Sequence, residues 1–86
     1  MQYTLSANQT LSIPTNSKRY AAIALISDLG EIRYKTAATV AATLPATSVN
    51  HDTLNTNVRT DYIQLDQPVL QIRAVSASTI QVRLED

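Results

Sequence analysis

Residues 70–84 alternate apolar and polar side chains on either side of Ala77, and this pattern constrains the fold more than any other feature. Leu70, Ile72 and Ala74 are interleaved with Gln71 and Arg73; Ile80, Val82 and Leu84 are interleaved with Gln81 and Arg83. Alternation of this kind is the signature of a strand with one buried face, and two such runs around a short turn read as a β-hairpin. Folding the segment about Ala77 sets Leu70 opposite Leu84, Ile72 opposite Val82, and Ala74 opposite Ile80. A slip of one residue would put Arg73 against Val82, so the apolar stripe holds the register. The expectation is an antiparallel β domain with one wet face per sheet. Ile72, Ile80 and Val82 belong in its core, and Gln71, Arg73, Gln81 and Arg83 face water or a partner.

Two further hairpins are expected upstream. Folding residues 3–13 about Asn8 sets Leu5 against Leu11 and Tyr3 against Ile13. Asn tolerates the left-handed conformation that such a turn needs. Pro14 then ends the strand, because it has no N–H to give to a ladder. Residues 19–27 form the most continuously apolar stretch, and Ser27-Asp28-Leu29-Gly30 follows as a turn. Gly30 is the only glycine in the chain, and a positive φ is expected there. Glu31-Ile32-Arg33-Tyr34-Lys35 is the return strand. A three-residue loop pairs Ile26 with Ile32 and Ala24 with Tyr34, whereas a two-residue loop pairs Leu25 with Ile32 and Ile23 with Tyr34; Leu25 and Ile32 are core candidates.

Residues 36–57 break the pattern. They are rich in Thr, Ala and Asn, contain Pro45, and hold one formal charge, Asp52. No helical or strand period emerges, so they read as a long excursion with at most one short strand. From residue 58 alternation returns, with Val58, Thr60 and Tyr62 on one side and Arg59, Asp61, Ile63 and Leu65 on the other. Either face can be the buried one. The sum is an all-β fold, a small antiparallel two-sheet sandwich or open barrel of about six to eight short strands in a single domain.

Composition narrows function mainly by exclusion. A chain of 86 residues builds a thin core, and small domains compensate with disulfides, metals or partner subunits. There is no cysteine and one histidine, His51, which removes disulfides and most zinc sites. Oligomerisation is the device left. Seven Lys and Arg balance seven Asp and Glu, so nothing draws the chain to nucleic acid or an anionic membrane. No apolar run has the length of a membrane span, and the first residues lack the pattern of a secretory signal.

No cluster of residues carries recognisable chemistry. A Ser–His–Asp trio can be drawn on paper from His51, Asp61 and several serines, but no nucleophile elbow accompanies it. Residues 50–57 place oxygen-bearing side chains at alternating positions, yet lack the turn glycine and closing glutamate of a calcium loop. One glycine cannot make a phosphate cradle. Asn8-Gln9-Thr10 matches a glycosylation acceptor by chance. No catalytic residue, cofactor or metal is expected.

The succession of pieces from residue 19 onward resembles a group of small β-sandwich virion-associated proteins of phages and prophages. The residues that carry it are the apolar strand at Tyr20 to Ile26, the turn at Asp28 to Gly30, and Glu31-Ile32-Arg33-Tyr34. A Thr/Ala-rich connection and the closing pair of strands from Leu70 to Leu84 complete it. The resemblance implies a structural virion part such as a head decoration, connector or tail component, with no catalytic residues to carry over. It also implies partners that are copies of itself or other virion proteins, and a virion location. The charge-poor excursion is the expected contact, with Ala37, Thr39, Val40, Leu44 and Val49 as candidate interface residues. The alternative is a carbohydrate- or cell-surface-binding module that uses the Asn/Thr-rich excursion as its contact surface, with Tyr20, Tyr34 and Tyr62 as the only aromatic candidates of consequence.

Overall fold

The expected strands form, but none of the three expected hairpins does. The computed structural model describes residues 1–38 and 52–86. Its strands are β1 (Gln2–Leu5), β2 (Thr10–Pro14), β3 (Tyr20–Leu25), β4 (Glu31–Ala37), β5 (Asp52–Leu54), β6 (Thr60–Gln64), β7 (Val69–Ser76) and β8 (Ser78–Glu85). They make two four-stranded antiparallel sheets, with orders β1-β8-β3-β6 and β2-β7-β4-β5. The chain changes sheet at each of the turns expected to close a hairpin. This strand order is that of a jelly roll, a sandwich of two Greek-key halves.

The corrected pairings follow directly. β8 lies between β1 and β3, with Ile80 opposite Tyr3 and Leu25, and Val82 opposite Ile23. β7 lies between β2 and β4, with Ile72 opposite Leu11 and Tyr34. Leu70 and Leu84, Leu5 and Leu11, and Leu25 or Ile26 and Ile32 are therefore not ladder partners. Two apolar stripes satisfy the same alternation whether they lie side by side in one sheet or face one another across a core. Alternation assigns faces and leaves neighbours open. Ser76-Ala77-Ser78 has no Gly, Asn or Asp to supply the backbone twist of a tight hairpin turn, and the chain steps over to the other sheet there.

The faces themselves are as expected in most places. Leu5, Ala21, Ile23, Leu25, Ile32, Leu70, Ile72, Ala74, Ile80 and Val82 are buried in one cluster. The ambiguity around residues 58–65 resolves with Ile63 packed on that cluster and Leu65 in it, while Tyr62 is exposed. Gln81 and Arg83 are exposed, but Gln71 is not: it lies on a central strand between Ser12 and Lys35 and is 0% exposed. Arg73 is half-buried, beside Arg33 across the ladder, and its Nη2 donates to Asn8 Oδ1 at 3.2 Å. Gln71 and Arg73 have the long side chains of Lys35 and Arg33 beside them on β4, whereas Gln81 and Arg83 have only Ala24 and Ala22 beside them on β3.

The β3–β4 and β7–β8 turns are fastened to one another as well as within themselves. Gly30 has φ 141°, and a Cβ there would lie 2.5 Å from Ser78 Oγ. That hydroxyl accepts the Glu31 N–H at 3.1 Å and donates to the Ser76 carbonyl at 2.8 Å. Ser27 Oγ accepts the Thr79 N–H at 3.1 Å and donates to the Leu29 carbonyl at 2.7 Å. The β3–β4 turn and the β7–β8 turn thus form one hydrogen-bonded end of the sandwich. Asn8 is left-handed, as its position in a turn requires, and Pro14 ends β2 on the edge of its sheet.

Candidate functional site

The outer face of the β1-β8-β3-β6 sheet carries a trough along β3. Ala22 lies between Tyr62 of β6 and Arg83 of β8, and Ala24 lies between Thr60 and Gln81. With neighbouring strands about 4.8 Å apart, the two walls stand roughly 10 Å from each other. Two methyl groups between longer side chains leave an open depression of about 550 Å³, within the size range of small-ligand sites. Ala21, Ile23 and Leu25 fill the inward positions of β3, so Ala22 and Ala24 are forced outward by the alternation.

One wall is aromatic. Tyr62 is 56% exposed, and its ring stacks on that of Tyr20 with centroids 5.4 Å apart and planes 13° from parallel. Tyr20 and Tyr62 are diagonal neighbours on adjacent strands, within the reach of aromatic side chains. The Glu85 carboxylate lies near the Tyr62 hydroxyl. Loss of hydration at the sheet surface and that carboxylate raise the phenol above its ordinary pKa. Glu85 in turn receives Arg83 Nε at 2.9 Å. Tyr20, Tyr62, Glu85 and Arg83 therefore form one linked set on three rigid strands.

Asp61 sits below the rim of the same sheet. Its Oδ2 accepts the Tyr34 hydroxyl at 2.6 Å, and its Oδ1 accepts the Tyr62 N–H at 2.9 Å. Leu25 N–H donates to the Arg59 carbonyl and Leu65 N–H to the Arg19 carbonyl. The odd-numbered residues of β6 therefore turn their backbone toward β3, and the even-numbered ones turn theirs outward. The Tyr62 N–H is one of these edge donors, and Asp61 occupies it. Burial, then the bond and charge of Asp61, then Asp52, push the Tyr34 phenol far above its ordinary value.

A second feature lies at the end of the sandwich where the turns are fastened. Ile26, Leu29 and Val58 are exposed, Leu29 by 77%. Leu25 bonds to Arg59 and the Arg59 guanidinium donates to the Ser27 carbonyl, which brings the β3–β4 and β5–β6 turns together. Asn55 Oδ1 accepts the N–H groups of Asn57 and Val58 at 2.8 and 3.1 Å. Both turns are hydrogen-bonded, so the apolar tips are presented by ordered backbone.

Of the expected interface residues, Ala37 closes β4 opposite Val69 and is 7% exposed, which leaves little of it for a partner. Thr39, Val40, Leu44 and Val49 lie outside the described residues, as does His51. Asp61, drawn into a hypothetical catalytic trio, is engaged with Tyr34 and Tyr62. Among the described residues no cluster of His, Cys, Asp and Glu could hold a metal ion, and no helix is long and apolar enough to cross a membrane. The trough is hidden in the sequence because residues 19–27 are almost continuously apolar. The signal was a difference in size, with Ile and Leu at inward positions and Ala at outward ones.

Compared with known proteins, the chain matches no family model, no curated sequence and no solved structure.

Proposed function

We propose that this chain is a non-enzymatic assembly protein, a component of a phage or prophage virion that acts by packing against copies of itself or other virion proteins. The observation behind the reading is the end of the sandwich, where Ile26, Leu29 and Val58 extend from hydrogen-bonded turns. Apolar side chains held outward by ordered turns cost little further entropy when a partner covers them. The jelly-roll strand order supports it by analogy, since viral capsid domains use that architecture. Residues 36–57, poor in charge, supply a second contact through Thr39, Val40, Leu44 and Val49. The alternative, a carbohydrate- or cell-surface-binding module, draws on a different surface, the trough of β3.

Light scattering after size exclusion, over a concentration series and with candidate virion proteins, tests the assembly reading. The expected result is association that Leu29→Lys with Val58→Lys abolishes, with amides of residues 36–57 slowed in the assembled form. A monomer at every concentration, alone and in the mixtures, overturns it.

A further inference from the structure

We propose that the trough on the outer face of the β1-β8-β3-β6 sheet is a binding site for a neutral saccharide, one or two rings in extent. This does not rest on the assembly reading, which concerns the end of the sandwich.

Size and shape come first. The floor is Ala22 and Ala24, the walls are Tyr62 with Thr60 and Arg83 with Gln81. A width of roughly 10 Å between walls, with floor positions roughly 7 Å apart along the strand, suits a pyranose ring laid flat. An extended peptide would need a longer channel, and Tyr20 occupies the next outward position of β3.

Charge comes second. Among the described residues of the lining Arg83 is the one cation, and Glu85 already holds its Nε, while the Asp61 carboxylate is occupied by Tyr34 and Tyr62. The site offers an anion no net attraction. What it does offer is a spread of hydrogen-bonding groups: a primary amide on Gln81, a hydroxyl on Thr60, and the Arg83 N–H groups beyond Nε. Hydroxyl-rich neutral ligands match such a set, since each hydroxyl both gives and accepts.

The aromatic wall comes third. A saccharide ring has an apolar C–H face, and Tyr62 presents an exposed ring at which that face can be buried. Tyr20 braces the ring from outside the trough by stacking on it. The wall is thus set before a ligand arrives, and little is lost in ordering it.

The test is nuclear magnetic resonance titration of the intact chain with a panel of neutral hexoses, pentoses, N-acetylated amino sugars and their disaccharides, to high millimolar concentration. The expected result is saturable shifts of the Ala22, Ala24, Thr60, Tyr62, Gln81 and Arg83 amides by at least one member. Ala24→Leu fills the floor and Tyr62→Ala removes the wall, and each should weaken that binding by about tenfold or more, a difference of about 1.4 kcal/mol. Ala24→Leu adds an apolar group at a half-buried outward position, and its thermal midpoint shows directly whether the fold is kept. Should it unfold, Gln81→Ala at an exposed position takes its place. No saturable shift from any panel member overturns the proposal. So does binding that is unchanged in the folded variants, or that maps to the loops instead.

Discussion

The Tyr34 hydroxyl donates to Asp61 Oδ2 at 2.6 Å and so ties the inner face of one sheet to the edge strand of the other. It is a charge-assisted bond in a largely apolar setting, the kind worth more than a neutral one. Tyr34 is otherwise packed on all sides, 1% exposed.

Tyr34→Phe keeps the packing and removes the donor, leaving Asp61 Oδ2 to find water. A cost of about 1–3 kcal/mol is expected, read by urea denaturation at neutral pH. The pH dependence has a definite sign. The phenol's folded pKa is raised, so its contribution is fully present below about pH 10, the unfolded value, and is lost as pH rises beyond it. Wild type should lose stability above that point faster than Tyr34→Phe. Parallel curves for the two proteins would contradict the account.

Asp61→Ala should do more damage than Tyr34→Phe, because it strips two donors at once. The buried Tyr34 hydroxyl loses its acceptor, and the Tyr62 N–H at the edge of β6 is opened to other chains. An uncovered edge is a template for strand addition. Turbidity and size exclusion at moderate concentration should show self-association in Asp61→Ala that Tyr34→Phe does not share.

Gly30→Ala should destabilise on two grounds, a φ of 141° and the collision of its Cβ with Ser78 Oγ. Backbone strain of this kind costs about 1–3 kcal/mol, and each kcal/mol lowers the midpoint of a domain this size by about 4–8 °C. Combining it with Ser78→Gly removes the collision but not the strained φ. The pair should therefore lose less than the sum of the two single changes.

Gln71 and Gln81 were equivalent by alternation and are opposites in the fold. Gln71→Ala, at a buried site, should cost about 1–3 kcal/mol, whereas Gln81→Ala, at an exposed one, should stay within about 0.5 kcal/mol. Equal melting temperatures for the two variants would mean that the outer face of β7 is wet after all.

The contrast shows what could be read in advance. Strand positions and inward faces were legible because Ile72, Val82 and Ile80 have to leave water whichever strands lie beside them. The neighbours were not, because pairing is decided by turns such as Ser76-Ala77-Ser78 and by contacts far along the chain. The positive φ at Gly30 was legible from its being the only glycine; its reason, the Ser78 hydroxyl, was not. Nothing local marks Asp61 as the acceptor for Tyr34, since the two meet only when the sheets close over each other. The trough has the same origin, as Ala22 is unremarkable until Tyr62 and Arg83 stand on either side of it.

The sheet changes at each tight turn also set an order of events during synthesis. Among the described residues β1 pairs only with β8, and β2 only with β7. The first two strands made must therefore wait, unpaired, until the last two have left the ribosome. β3 with β6 and β4 with β5 can form earlier, but each of those pairs needs β8 or β7 to complete its sheet. Contacts this distant in sequence make folding slow, on the scale of milliseconds to seconds for sandwiches in general. A nascent chain stalled before Ser78 would hold its N-terminal strands open to whatever else is nearby.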